Sequence, residues 1–163
     1  MSIFELSGIL KEHPIKPAGR ATAPKHSNPK DEPSPQDMEK MAQAALDDLA
    51  AKFPAWASGD VQKMKQAIGE ASGVFGEKRA HIIRNNIYPK AHDLKGQGST
   101  FGYPLITDIG THLCRLITSK TNYEADDFSA IRSDILMMET VLWKKLKGDG
   151  GSKGAEILRK LNT

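Results

Sequence analysis

The sequence has a single cysteine, Cys114, so neither an intramolecular disulfide nor a thiolate metal cluster can be assembled within one chain, and a reducing compartment fits. It has no run near the roughly 18 apolar residues that a membrane-spanning helix needs. The opening MSIFELSGILKEHP carries no basic stretch ahead of its few apolar residues, so no secretory leader or membrane is expected, and the expected location is cytoplasmic. The 23 basic and 20 acidic residues leave a net charge of only +3 and are scattered, without the basic block that follows phosphates, so nucleic acid is not an expected partner. There is no glycine-rich loop followed by a lysine and a serine or threonine, and hence no nucleotide pocket or kinase motif. No stretch alternates apolar and polar residues as a half-buried strand would.

What is present is helical rhythm. A chain of 163 residues supports one core of ordinary size, not two. Six of its 9 prolines fall within the first 35 residues, among lysines, serines and alanines too polar to order a backbone by burial. Residues 1–34 are therefore expected to form a flexible arm, with a short apolar segment at Ile3, Phe4, Leu6, Ile9 and Leu10 that docks on the bundle or on a partner.

From Ser34, a plausible cap followed by Pro35, apolar residues recur at intervals of three and four. They run through Met38, Ala42, Ala45, Leu49 and Phe53; after an interruption at Gly59 and Asp60 they resume at Val61, Met64, Ile68, Ala71 and Phe75. Further stripes follow at Ile83, Ile87, Ala91, Leu94 and Gly98, at Leu105, Ile109, Leu113 and Leu116, and at Phe128, Ile131, Ile135, Met138, Leu142 and Leu146. The expected fold is all-α, an up-and-down four-helix bundle over residues 35–147 with an extra helical segment, followed at 148–163 by a glycine-rich turn and a short helix. Pro89 removes a hydrogen bond to the Asn85 carbonyl and is expected to kink its helix or restart it.

The stretch AHDLKGQGSTFGYPLI, residues 91–106, holds the candidate chemistry. At about 100° per residue, Leu94 falls about 200° from His92, with Ile87 and Ile83 close to the same direction, so the apolar stripe lies opposite the imidazole. His92 is expected to face solvent. Lys95 and Gly96 flank its face one turn on, and Ser99 returns almost in line with it. Gly96 and Gly98 each cost about 1 kcal/mol relative to alanine in a helix, which implies a close approach to the histidine's surroundings.

The run HDLKGQGSTFG resembles the phosphorylation-site motif of histidine phosphotransfer domains, matching at His92, Leu94, Lys95, Gly96, Gly98, Phe101 and Gly102. It departs from the motif at Gln97, where a small residue is usual, and at Tyr103 and Pro104. The resemblance covers roughly residues 36–147 and implies a phosphorelay intermediate of two-component signal transduction. His92 would accept a phosphoryl group from a receiver-domain aspartate and pass it to another receiver, with Lys95 stabilising the phosphate. Gly96, Gln97, Gly98 and Ser99 would form the receiver-docking surface. The implied partners are response-regulator receivers and a hybrid histidine kinase. No cofactor or metal is expected on this chain, magnesium belonging to the receiver; no autonomous kinase activity is expected, and a monomer is favoured.

Other readings compete. A binding module that regulates a receiver or kinase without accepting phosphate would not need the His92, Lys95 and Gly96 set intact, and a structural protein acting through its tails would not need His92 at all. A metal site from His81, His92 and His112 has no Glu-x-x-His or His-x-x-x-His pair behind it. His81 reads as a surface residue, His112 as a residue bordering the core, and His13 and His26 lie in the arm. Met64, Met137 and Met138 follow helical spacing as core residues.

Overall fold

The computed structural model describes residues 32–163, so the expectations for the arm, including its apolar segment, His13 and His26, lie outside the described residues. The described residues are all-α. Helix α1 spans Pro35–Ser72, α2 Gly76–Ile82, α3 Tyr88–Gly98, α4 Pro104–Thr118, α5 Ala125–Trp143 and α6 Gly151–Leu161. The chain divides into two units, 1–51 and 52–163, the boundary falling inside the helix expected to open the bundle.

In the first unit, Ser34 caps α1 as its sequence suggests. Its hydroxyl accepts a hydrogen bond from the Asp37 amide at 3.2 Å, and the Asp37 carboxylate accepts one from the Ser34 amide at 3.2 Å. The Ser34 hydroxyl also donates to the Asp37 carboxylate at 2.7 Å, and this bond first, then the Ser34 amide, holds the Asp37 carboxyl below the usual carboxylate range.

The second unit contains the core. The interruption expected at Gly59 and Asp60 does not occur, and α1 runs through both residues. The buried stripe continues in phase through Phe53, Ala57, Val61, Met64, Ile68 and Ala71. Burying a large apolar side chain is worth about 1.5–3 kcal/mol, which outweighs the roughly 1 kcal/mol that one helical glycine costs. The buried carboxylate of Asp60 lies 3.6 Å from the Lys63 ammonium and 3.5 Å from that of Lys90, a tie between α1 and α3.

Pro89 lies in the first turn of α3, which starts at Tyr88, so the α-helix restarts at the proline as expected, although residues 76–98 are helical without a gap. A π-turn at Ile83–Ile87 joins α2 to α3, and the Tyr88 amide donates five residues back to the Ile83 carbonyl. Widening the turn by one residue accommodates a proline that has no amide hydrogen to donate.

The segment after α3 closes through a 3-10 turn, Ser99–Phe101, and Gly102 at φ +86°, a left-handed conformation that favours glycine. Helix α3 then lies antiparallel along α4, which also packs against α5 and α6. Phe53 of α1 meets the rings of Phe101 and Tyr103 at centroid distances of 5.2 and 5.6 Å, so the turn that ends α3 is fixed by an aromatic cluster. Met64 and Met138 are fully buried, as their spacing suggests, whereas Met137, expected in the core with them, is only half-buried. No helix among the described residues is long and apolar enough to cross a membrane.

Candidate functional site

Helical phase predicts His92 correctly. Ala91 and Leu94 are buried, and the imidazole between them stands 61% exposed on the opposite side of α3. The Asp93 carboxylate lies 3.9 Å from Nδ1, so the ring's other edge, with Nε2, faces away from it. One turn earlier, Tyr88 brings its ring to 6.0 Å from the imidazole, centroid to centroid, at an interplanar angle of 42°.

Lys95 is half-buried because its stem crosses Gly110 of α4. A Cβ on Gly110 would stand 2.8 Å from the Lys95 Cβ, so glycine there allows α3 and α4 to close up under the lysine. Burial pushes the Cys114 thiol up, and the Lys95 charge opposes this. Cys114 lies one turn beyond Gly110, and in antiparallel helices that is the direction of His92. Lys95 leaves α3 one turn along from His92.

The glycines divide into two kinds. A Cβ on Gly98 would meet the Thr107 amide nitrogen, the Thr107 hydroxyl and the Tyr103 carbonyl, each at 2.8 Å, so the fold requires this glycine. A Cβ on Gly96 would meet nothing within 4 Å. Its φ is ordinary and it is exposed, so no contact in the fold explains a glycine there; it leaves bare backbone on the surface one turn from His92.

Two residues expected on the docking surface are not on it. Gln97 is 7% exposed and Gly98 is buried, since both lie on the side of α3 that carries Leu94 and packs on α4. The Gln97 Oε1 is buried without a hydrogen-bond partner. Only Gly96 and Ser99 of the four are exposed alongside His92.

Thr107 was not anticipated. Its hydroxyl donates to the Lys95 carbonyl at 3.0 Å and accepts from the Ser99 amide at 2.8 Å, and the Ser99 hydroxyl lies 3.0 Å from it. One side chain thus satisfies two backbone groups at the end of α3 and fixes the helix end that carries Lys95 and Ser99. Its position in the first turn after Pro104, where the chain has just reversed, is the sequence signal that would have found it.

The other described histidines are differently placed. His81 is exposed, with Nδ1 2.9 Å from the Asn85 amide nitrogen, and the π-turn breaks the helical phase that would have aligned it with His92. His112 borders the core as expected, where Nδ1 is 2.7 Å from the carboxylate of Asp134, itself 2% exposed on α5. Burial pushes the Asp134 carboxyl up to about 6, with the His112 contact opposing the shift. Among the described residues no group of three His, Cys, Asp or Glu side chains converges as a metal site.

Compared with known proteins, the chain matches no family model, no curated protein and no solved structure.

Proposed function

We propose that this protein is a phosphorelay intermediate of the cytoplasm, carrying a phosphoryl group on His92 between receiver domains, as its motif's resemblance to histidine phosphotransfer domains implies. The observation that carries the reading is the pairing of an exposed, mid-helix imidazole with Gly96, a glycine no fold contact explains, one turn along the same surface. A receiver's active site has to bring an aspartyl phosphate to the ring, and bare backbone at Gly96 leaves room for that approach.

The chemistry needs little from this chain. A free imidazole titrates at about pH 6.5, so its neutral form is abundant at cellular pH. The Nε2 lone pair attacks phosphorus, the N–P bond forms, and the receiver's aspartate departs as a carboxylate with the P–O bond electrons. The ring is left cationic with its proton on Nδ1, on the side where the Asp93 carboxylate lies. Lys95, one turn along α3 from His92, offsets the charge of the phosphoryl oxygens, which approaches two negative charges. Return of the group to a second receiver reverses these steps, with magnesium supplied by the receiver.

The test is incubation of the full chain with phosphorylated receiver domains from the same genome. The expected result is an acid-labile, alkali-stable label on the protein that a His92→Gln variant does not take up. Equal labelling of that variant, or none of the wild type, overturns the reading. Receiver binding and regulation unaffected by His92→Gln would instead assign the chain as a docking module.

A further inference from the structure

We propose that Tyr88 is a positioning residue for His92, its ring forming a platform that sets the orientation in which the imidazole meets its phosphoryl donor. This rests on the reading of His92 given above. Two independent observations support it. The first is the ring pair, whose 6.0 Å separation and 42° tilt lie within the range of interacting aromatic rings. Helical side chains lean toward the N-terminus of their helix, so the ring at His92 inclines over the residue four positions earlier.

The second is the backbone under Tyr88. The π-turn ends there, with the Tyr88 amide bonded to the Ile83 carbonyl, and Pro89 follows with its φ fixed by its ring. The point where Tyr88 leaves the chain is thus held by an irregular turn on one side and a proline on the other. This turn is the only π-helical segment among the described residues, and it delivers its last fixed residue to the underside of His92.

The consequence is orientational. Among the described residues, the imidazole has no hydrogen bond to hold its ring, only the Asp93 carboxylate at 3.9 Å. A ring free to sample all its rotamers would present Nε2 to the donor for a fraction of the time, whereas a ring resting on Tyr88 is preoriented.

The experiment uses the full chain, isotopically labelled at histidine rings, as wild type, Tyr88→Phe and Tyr88→Leu. Leucine keeps apolar bulk without a ring current; phenylalanine keeps the ring. In the unphosphorylated protein the His92 ring-proton resonances are expected to move toward those of an isolated surface histidine in Tyr88→Leu and to stay near wild type in Tyr88→Phe. In transfer from a phosphorylated receiver, Tyr88→Leu is expected to lower kcat on the order of tenfold with KM for the receiver unchanged, and Tyr88→Phe to restore it. Unmoved His92 resonances in Tyr88→Leu, or a loss expressed only in KM, overturn the proposal. The resonances do not depend on phosphotransfer, so a wild type that takes no label but whose His92 signals follow Tyr88 refutes the relay and leaves the platform standing.

Discussion

His92 and His112 are side chains of one kind, each on a helix of the same unit and each beside an aspartate, yet they are used in opposite ways. His112 is anchored: its Nδ1 is 2.7 Å from a carboxylate only 2% exposed, and the pair ties α4 to α5. His92 is presented: its carboxylate neighbour is 3.9 Å away, and most of the ring is in solvent. A half-buried histidine paired with a buried carboxylate contributes to stability, because losing it strands that carboxylate away from water. An exposed one contributes little to stability, and beside His92 stand Lys95 one turn on and Gly96, a glycine that no fold contact explains.

The widest separation is expected from substituting each histidine. His92→Gln should abolish phosphoryl uptake while changing unfolding free energy by less than about 0.5 kcal/mol in chemical denaturation. His112→Ala should do the reverse, costing about 2–3 kcal/mol by leaving Asp134 buried without its partner, with uptake retained wherever the variant is folded. If His92→Gln proves the more destabilising of the two, the contrast collapses.

The glycines sharpen the same division. Gly98→Ala forces a Cβ to within 2.8 Å of the Tyr103 carbonyl and the Thr107 amide nitrogen, and should cost about 1–3 kcal/mol. Gly96→Ala enters open space and should stabilise the protein by up to about 1 kcal/mol, while slowing transfer from a receiver on the order of tenfold. Opposite signs in melting and transfer assays on one variant would separate a surface kept for a partner from one kept for the fold. A Gly96→Ala protein that is both more stable and equally fast would remove the case for bare backbone at that position.

A last effect concerns pH. The Asp134 carboxyl is raised to about 6 by burial, above its ordinary value of 3.8. The folded protein therefore holds a proton there that the unfolded chain has released, and stability from this group is full below pH 3.8 and declines as pH rises toward 6. Asp134→Asn should flatten that segment of the stability profile, measured by denaturant unfolding at fixed ionic strength, while leaving the pH dependence of phosphoryl transfer unchanged.

Much of this was legible in the sequence, and the parts that were not have physical reasons. Three-and-four spacing located the buried stripes from Val61 to Met138 apart from Phe75, which is 76% exposed, and about 100° per residue placed His92 opposite Leu94. The same arithmetic puts Gln97 at about 140° and Gly98 at about 240° from His92, on either side of Leu94. Their burial was there to be read; the motif, which names residues without regard to phase, drew them to the surface instead. Gly59 misled because local propensity is weak against a continuing buried stripe. Asp134 stands three residues after Ile131 in an apolar stripe, where a carboxylate needs a partner that the spacing does not name. Gly110 and the π-turn before Pro89 depend on how α3 closes on α4 and on backbone hydrogen bonding, which no spacing rule encodes.

The most direct test removes the partner altogether. Phosphoramidate phosphorylates accessible, nucleophilic imidazoles without a receiver, and phosphorus NMR with peptide mapping identifies the nitrogen and the residue. The account predicts an Nε2-phosphohistidine at His92, and no label at His112, whose ring is tied to Asp134. Labelling of His112 in preference to His92, or a protein that takes no phosphoryl group at His92, would contradict it.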